Sequence, residues 1–219
     1  MGIKAVLFDM DGLMFDTETL ALRAWDYAGK QMGFSPDPEM TLKITGINGA
    51  DARKVVETYL GSNIDHKQIF RLMEQYYNFT FQHEGIPIKE GLGELLDYLR
   101  RREIPAAVAT SSGRNRTERN LELAGVSGFF GAIVCGNEVA RGKPHGDIYL
   151  NAANLLGKDT KECLVLEDSP NGIKAGIDAG CVTIAIPDIC VLSEELLGRC
   201  AAVLPNLREV VKFLEQQPH

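Results

Sequence analysis

The sequence predicts an α/β protein: a doubly wound parallel sheet with a helical domain inserted after the first strand. Three observations lead there. The run Ile3-Lys4-Ala5-Val6-Leu7-Phe8 is apolar apart from Lys4 and stops at Asp9-Met10-Asp11-Gly12, as a strand buried on both faces does when it enters a turn. Residues 15–84 then carry apolar positions at helical spacing and no convincing strand. Beyond them, short apolar runs alternate with helical patterns of about 10 to 15 residues, the signature of βαβ units.

Each element has its own signal. Leu22, Trp25 and Ala28 set the helical period of residues 18–31, Gly33 ends that helix, and Ser35-Pro36-Asp37-Pro38 reads as a loop. Gly46-Ile47-Asn48-Gly49 reads as a turn into a helix over 50–60. A third helix, 67–81, carries Phe70, Tyr76, Tyr77, Phe79 and Phe81, a density of aromatics expected in the core of a small helical bundle. A helix over 90–102 leads to the apolar run 104–109, which ends in Thr110-Ser111-Ser112-Gly113. A helix over 116–124 leads to Ala132-Ile133-Val134-Cys135 and then to Gly142-Lys143-Pro144. A helix over 147–156 leads to Cys163-Leu164-Val165-Leu166, ending in Glu167-Asp168-Ser169-Pro170. One more helix, the run 182–186, Ala202-Val203-Leu204 and a last helix complete the chain. The core is expected to comprise residues 1–14 and 85–219, and the insert residues 15–84.

Composition narrows the function. With 219 residues, 45% of them apolar, the chain can bury a sizeable core. A net charge of −7, with no basic run longer than Arg100-Arg101-Arg102, argues against nucleic acid and anionic membrane as partners. No apolar run approaches the ~18 residues of a membrane span, and no basic-then-apolar leader is evident, so a cytoplasmic protein is expected, as a monomer. The five cysteines show no CxxC spacing, and Cys163 and Cys181 lie beside apolar runs as core cysteines do. A zinc site or disulfide framework is not expected.

Four predicted strands end in polar residues: Asp9 and Asp11, Thr110 and Ser111, the loop holding Lys143, and Glu167 with Asp168. In open α/β sheets the ligand crevice lies outside the carboxyl ends of the strands, so these residues should meet at one place. The pleat puts Asp9 and Asp11 on the same side of the chain. Two like charges held close must be hydrated, paired with cations or bound to a metal. Plainer roles compete with chemical ones. Asp11 could open a turn, Thr110 and Ser111 could cap a helix at about 1 kcal/mol, and Lys143 could be a surface residue. Ser169-Pro170 already supplies an N-cap and a first-turn proline, which leaves Glu167 and Asp168 surplus to capping. Gly142-Lys143-Pro144 is not a nucleotide P-loop, because Pro144 stands where Ser or Thr is required.

Asp9-x-Asp11-Gly12, apolar-Thr110-Ser111, Gly142-Lys143-Pro144 and apolar-Glu167-Asp168-Ser169, in this order, resemble the haloacid dehalogenase superfamily, over nearly the whole chain. Within it they resemble the phosphatase and phosphoglucomutase branch, a Rossmann-like core with a helical cap. The resemblance implies that Asp9 is a nucleophile forming an aspartyl phosphate and Asp11 the acid/base. It implies Mg2+ held by Asp9, the Asp11 backbone carbonyl and Asp168, with Glu167 bound directly or through water. It implies that Thr110, Ser111 and Lys143 hold the transferring phosphoryl group of a small phosphorylated metabolite. Asn171 is expected to hydrogen-bond the acids. Cap hinges are expected near 14–16 and 84–87, with Glu18, Asn48 and Arg53 as candidates to read the leaving group, although a solvated helix face is the favoured reading of all three.

The chain departs from the pattern in two places. It reads Lys143-Pro144-His145-Gly146-Asp147 where the family commonly continues Lys-Pro-x-Pro-Asp. Ala21 and Gly49 stand about where sugar phosphomutases carry a histidine and an arginine. Hydrolysis is therefore expected over a sugar phosphomutase reaction. The runs 109–113 and 167–172 resemble sugar phosphate and pseudouridine monophosphate phosphatases. A metal-nucleotide glycosyltransferase using Asp9-x-Asp11 and a non-catalytic phosphate-binding module are the remaining alternatives.

Overall fold

A computed structural model describes residues 2–44, 49–61 and 64–216. Strand β1 (Ala5–Phe8) is the pivot of a six-stranded parallel sheet in the order β3-β2-β1-β4-β5-β6. The other strands are β2 (Ala106–Thr110), β3 (Phe130–Cys135), β4 (Cys163–Glu167), β5 (Val182–Ala185) and β6 (Ala202–Val203). From β1 the chain winds outward through β2 and β3, then returns to the other side of β1 as β4. That reversal leaves a crevice beyond the ends of β1 and β4, where Asp9 and Asp168 emerge.

Alternation along the strands explains the two covering layers. Val6, Phe8, Val108, Leu164 and Leu166 face one side, where they meet leucines of α5 (Leu92–Arg101) and α10 (Leu207–Glu215). Ala5, Leu7, Ala107, Ala109 and Val165 face the other, under Ile148, Tyr149 and Ala152 of α7 (Asp147–Leu155) and Ala175 of α8 (Pro170–Asp178). All four β1 residues are fully buried, which is why the strand reads as an unbroken apolar run. Helix α6 (Arg114–Leu123) and the short α9 (Glu194–Leu197), which the sequence reading did not foresee, complete this part.

Among the described residues, four helices lie between β1 and α5: α1 (Thr17–Met32), α2 (Pro38–Ile44), α3 (Gly49–Leu60) and α4 (His66–His83). They bury Ala24, Trp25, Ala28, Met40, Val56, Ile69, Leu72 and Met73 in a cluster of their own. Helix α2 replaces part of the expected loop. Asp37 Oδ1 accepts the amides of Glu39 (2.7 Å) and Met40 (3.1 Å), and Pro38 opens the first turn, so this Asp-Pro pair starts a helix. The expected turn 46–49 lies, except for Gly49, outside the described residues.

The α4 aromatics are not one bundle core. Phe70, Tyr76 and Tyr77 pack on the helical cluster, Phe81 packs on the sheet's cluster, and Phe79 is exposed and stacked on His83 at 4.2 Å. A single helix of this length faces three environments, and sequence spacing alone does not separate them.

Candidate active site

The four strand ends meet. Asp9 follows β1 and is held against the sheet by its amide, which donates to the Leu166 carbonyl at 3.1 Å. Its carboxylate pairs with Lys143, which reaches in from the loop after β3. Lys143 also pairs with Glu167 at 2.5 Å and lies 5.1 Å from the centre of the Tyr149 ring. Its side chain is 4% exposed, so this lysine is not a solvated surface residue. Burial alone would lower the Lys143 pKa, but the charges of Asp9 and Glu167 outweigh it and hold the ammonium charged.

Glu167 ends β4 with both oxygens engaged. Oε1 accepts from Lys143 and from the Tyr149 hydroxyl (2.6 Å), while Oε2 accepts from the amides of Asp168 and Ser169 and from the Ser169 hydroxyl. Ser169 Oγ in turn accepts the Gly172 amide at 3.1 Å, the N-cap expected for α8. Asn171 is placed in the first turn of α8. Among the described residues no hydrogen bond joins it to either acid; Tyr149 and Ser169 fill that place.

Asp9, Glu167 and Asp168 bring carboxylate oxygens within 4.8 Å of one another. Three buried carboxylates face one ammonium, a surplus of two negative charges. Burial, Glu167 and the Lys143 contact act on Asp9 together, and the net result is a pKa pushed up to about 8. Burial, then Glu167 and Asp9, drive Asp168 up as well. Asp168 Oδ1 is buried with no hydrogen-bond partner among the described residues. An oxygen-only donor set with that charge fits a hard divalent cation. Glu167 lies within the cluster, but its oxygens already serve other donors.

Asp11 lines the same cavity as Asp9 but has partners of its own. Asp11 Oδ1 accepts from Thr17 Oγ1 (2.8 Å) and Arg116 Nη2 (2.9 Å), and Oδ2 accepts from Ser112 Oγ (2.6 Å). Burial pushes its pKa up, but Arg116, Ser112 and Thr17 outweigh burial and hold it below the usual carboxylate range. Each aspartate therefore has its own cation.

Thr110 and Ser111 line the same cavity, yet neither caps α6; its N-cap is Gly113. Thr110 Oγ1 accepts the Ser112 amide at 3.0 Å instead. The cavity, about 450 Å3, is closed on its far side by Trp25, Phe70, Met73 and Tyr77 from the helical insert. Ala21, Glu18 and Arg53 also line it, with Arg53 lying over the Phe70 ring at 5.7 Å. Glu18 is half-buried in the cavity wall, whereas Arg53 lines it while remaining exposed to solvent. Asn48 lies outside the described residues. Sequence reasoning missed Tyr149, Ser112 and Arg116; Ser112 alone had a signal, as part of the hydroxyl run after β2.

The chain belongs to the haloacid dehalogenase-like hydrolase family, whose model matches residues 6–186. It is 32% identical over 188 residues to hexitol phosphatase A of Escherichia coli, covering 85% of this chain and 84% of that one. It is 28% identical over 190 residues to the beta-phosphoglucomutase of Bacillus subtilis, covering 84% and 83%. The crystal structure of CbbY from Rhodobacter sphaeroides in complex with phosphate superposes with a TM-score of 0.80 at 27% identity, covering 95% and 96%. Among the described residues no helix is long and apolar enough to cross a membrane.

Proposed function

We propose that this chain is a magnesium-dependent phosphatase that hydrolyses a small phosphomonoester through a phosphorylated Asp9. The buried cluster of Asp9, Glu167 and Asp168 around one Lys143 carries the reading, because its surplus charge suits an oxygen-liganded divalent ion beside a nucleophilic carboxylate. The family, the likeness to hexitol phosphatase A and the phosphate-bound CbbY structure support it.

The residues divide the work. Asp9 attacks phosphorus and the leaving oxygen departs with a proton from Asp11; Asp11 then takes a proton from the water that releases phosphate. Lys143 offsets charge on the equatorial oxygens, and Thr110 and Ser111 donate to them from the end of β2. Glu167 and Tyr149 hold Lys143 in place. Magnesium, held by Asp9, the Asp11 carbonyl and Asp168, would screen the repulsion between a carboxylate and a phosphate dianion. Residues 15–84 act as a cap over the core formed by 1–14 and 85–219.

A sugar phosphomutase is the second reading, favoured by the likeness to beta-phosphoglucomutase. Ala21 in the cavity wall weighs against it, since alanine moves no proton to a sugar hydroxyl. Turnover of p-nitrophenyl phosphate, abolished by EDTA and restored by magnesium, tests the first reading; isomerisation of a sugar phosphate without phosphate release would select the second.

A further inference from the structure

The active-site cavity has a neighbour of about 350 Å3, and the two share Thr17, Glu74, Tyr77 and Arg116 as walls. Arg116, in the first turn of α6, stands where they meet. Its guanidinium lies 6.0 Å from the Tyr77 ring centre, and its Nη2 donates to Asp11 Oδ1. On the far side the second cavity is walled by Asn115 and Arg119, the latter over the Phe81 ring at 5.3 Å and bonded to Asn78 Oδ1 at 3.1 Å.

We propose that Arg116 is a specificity residue that binds a second anionic group, a carboxylate or phosphate, on the leaving group of the substrate. The inference rests on the phosphatase reading and names the substrate class for it. Asp11 must turn toward the leaving oxygen to act, yet Thr17, Ser112 and Arg116 occupy both its oxygens. Thr17 and Ser112 carry hydroxyls, which can rotate to other acceptors. A guanidinium cannot shed its charge, so Asp11 is released from Arg116 at least cost when another anion takes its place.

The geometry suits that exchange. Arg116 is 47% exposed, within reach of a small molecule. Its contact with Asp11 is through Nη2, and the five N–H donors of a guanidinium leave an edge able to grip a planar carboxylate or a phosphate. Glu18 and Glu74 in the same wall argue against a generally anion-filled cavity, so recognition is local to Arg116. A neutral leaving group leaves Arg116 on Asp11 and gains nothing from it.

Binding without turnover tests the inference apart from the phosphatase reading. Calorimetric titration with magnesium present would compare benzylphosphonate with its para-carboxylate, neither of which can be hydrolysed. The carboxylate should bind the unaltered protein about 10-fold more tightly, and Arg116→Ala should bring the two to near equality. Arg116→Lys, which keeps the charge but not the fork, should retain part of the preference and guards against misfolding of the alanine variant. Equal binding to the unaltered protein, or a preference that survives Arg116→Ala, would overturn the assignment. Absence of phosphate release from both phenyl phosphate and 4-carboxyphenyl phosphate would instead remove the phosphatase reading.

Discussion

Lys143 Nζ stands 2.5 Å from Glu167 Oε1, and both side chains are almost wholly buried. Tyr149, from the opposite helical layer, donates to that same oxygen at 2.6 Å. Glu167 thereby fixes the lysine that faces Asp9 and is itself fixed by a phenol. Tyr149→Phe removes one donor while keeping the ring under Lys143. It should lower stability by about 1–2 kcal/mol, seen in denaturant unfolding. It should also reduce kcat by roughly 10-fold, because the lysine's position becomes less sharply defined. Unchanged kcat would mean that Glu167 needs no help from Tyr149 in holding Lys143.

Gly12, directly after Asp11, turns the chain at φ +86°, and a Cβ there would run into Asp168 Oδ2. Gly12→Ala should therefore do two kinds of damage. The left-handed conformation costs an L-residue about 1–2 kcal/mol, and Asp168 must move from its place beside Asp9. The expected result is magnesium affinity lowered by at least about 10-fold, together with a fall in Tm. Magnesium binding indistinguishable from that of the unaltered protein would show that Asp168 lies outside the ion's reach.

Much of this site was legible in the sequence because each strand end carries its polar residue within a few positions of a buried apolar run. Asp9, Thr110, Lys143, Glu167 and Asp168 were found in that way. Tyr149 was not, since it sits on the buried face of α7 at helical spacing and reads as core. Arg116 belongs to the charged run Arg114-Asn115-Arg116-Thr117-Glu118-Arg119, and no pattern in the run says which arginine turns inward. Helix α2 was missed because Asp37-Pro38 signals a loop and a helix start equally well.

The carboxyl of Asp9 is pushed from its ordinary 3.8 to about 8, chiefly by burial, and Asp168 is raised by burial and its acidic neighbours. Between those two values the folded, metal-free protein holds more protons than the unfolded chain. Its stability should accordingly fall as pH rises through that window. Magnesium competes with those protons for the same oxygens. It should thus raise Tm by only a little near pH 5 and by several degrees more near about pH 8. Thermal melts with and without magnesium across that range check the slope; a shift independent of pH would place the ion away from Asp9 and Asp168.

Asp9 and Asp11 should fail in different ways when each is made an amide. Asp9→Asn removes the proposed nucleophile, so no p-nitrophenolate should be released, in the first turnover or later. Asp11→Asn leaves the proposed nucleophile intact but takes away the proposed acid/base. p-Nitrophenolate is a good enough leaving group to depart without a proton, so Asp9 should still be phosphorylated. Hydrolysis of that intermediate lacks its base and should slow by about 10²–10⁴. A rapid-mixing experiment with Asp11→Asn should then show a burst approaching one equivalent of p-nitrophenolate, followed by a slow steady state, and a gain of one phosphate in the protein's mass. A burst from Asp9→Asn would exclude Asp9 as the attacking group, and a lag-free steady state without a burst in Asp11→Asn would assign the rate-limiting proton to another residue.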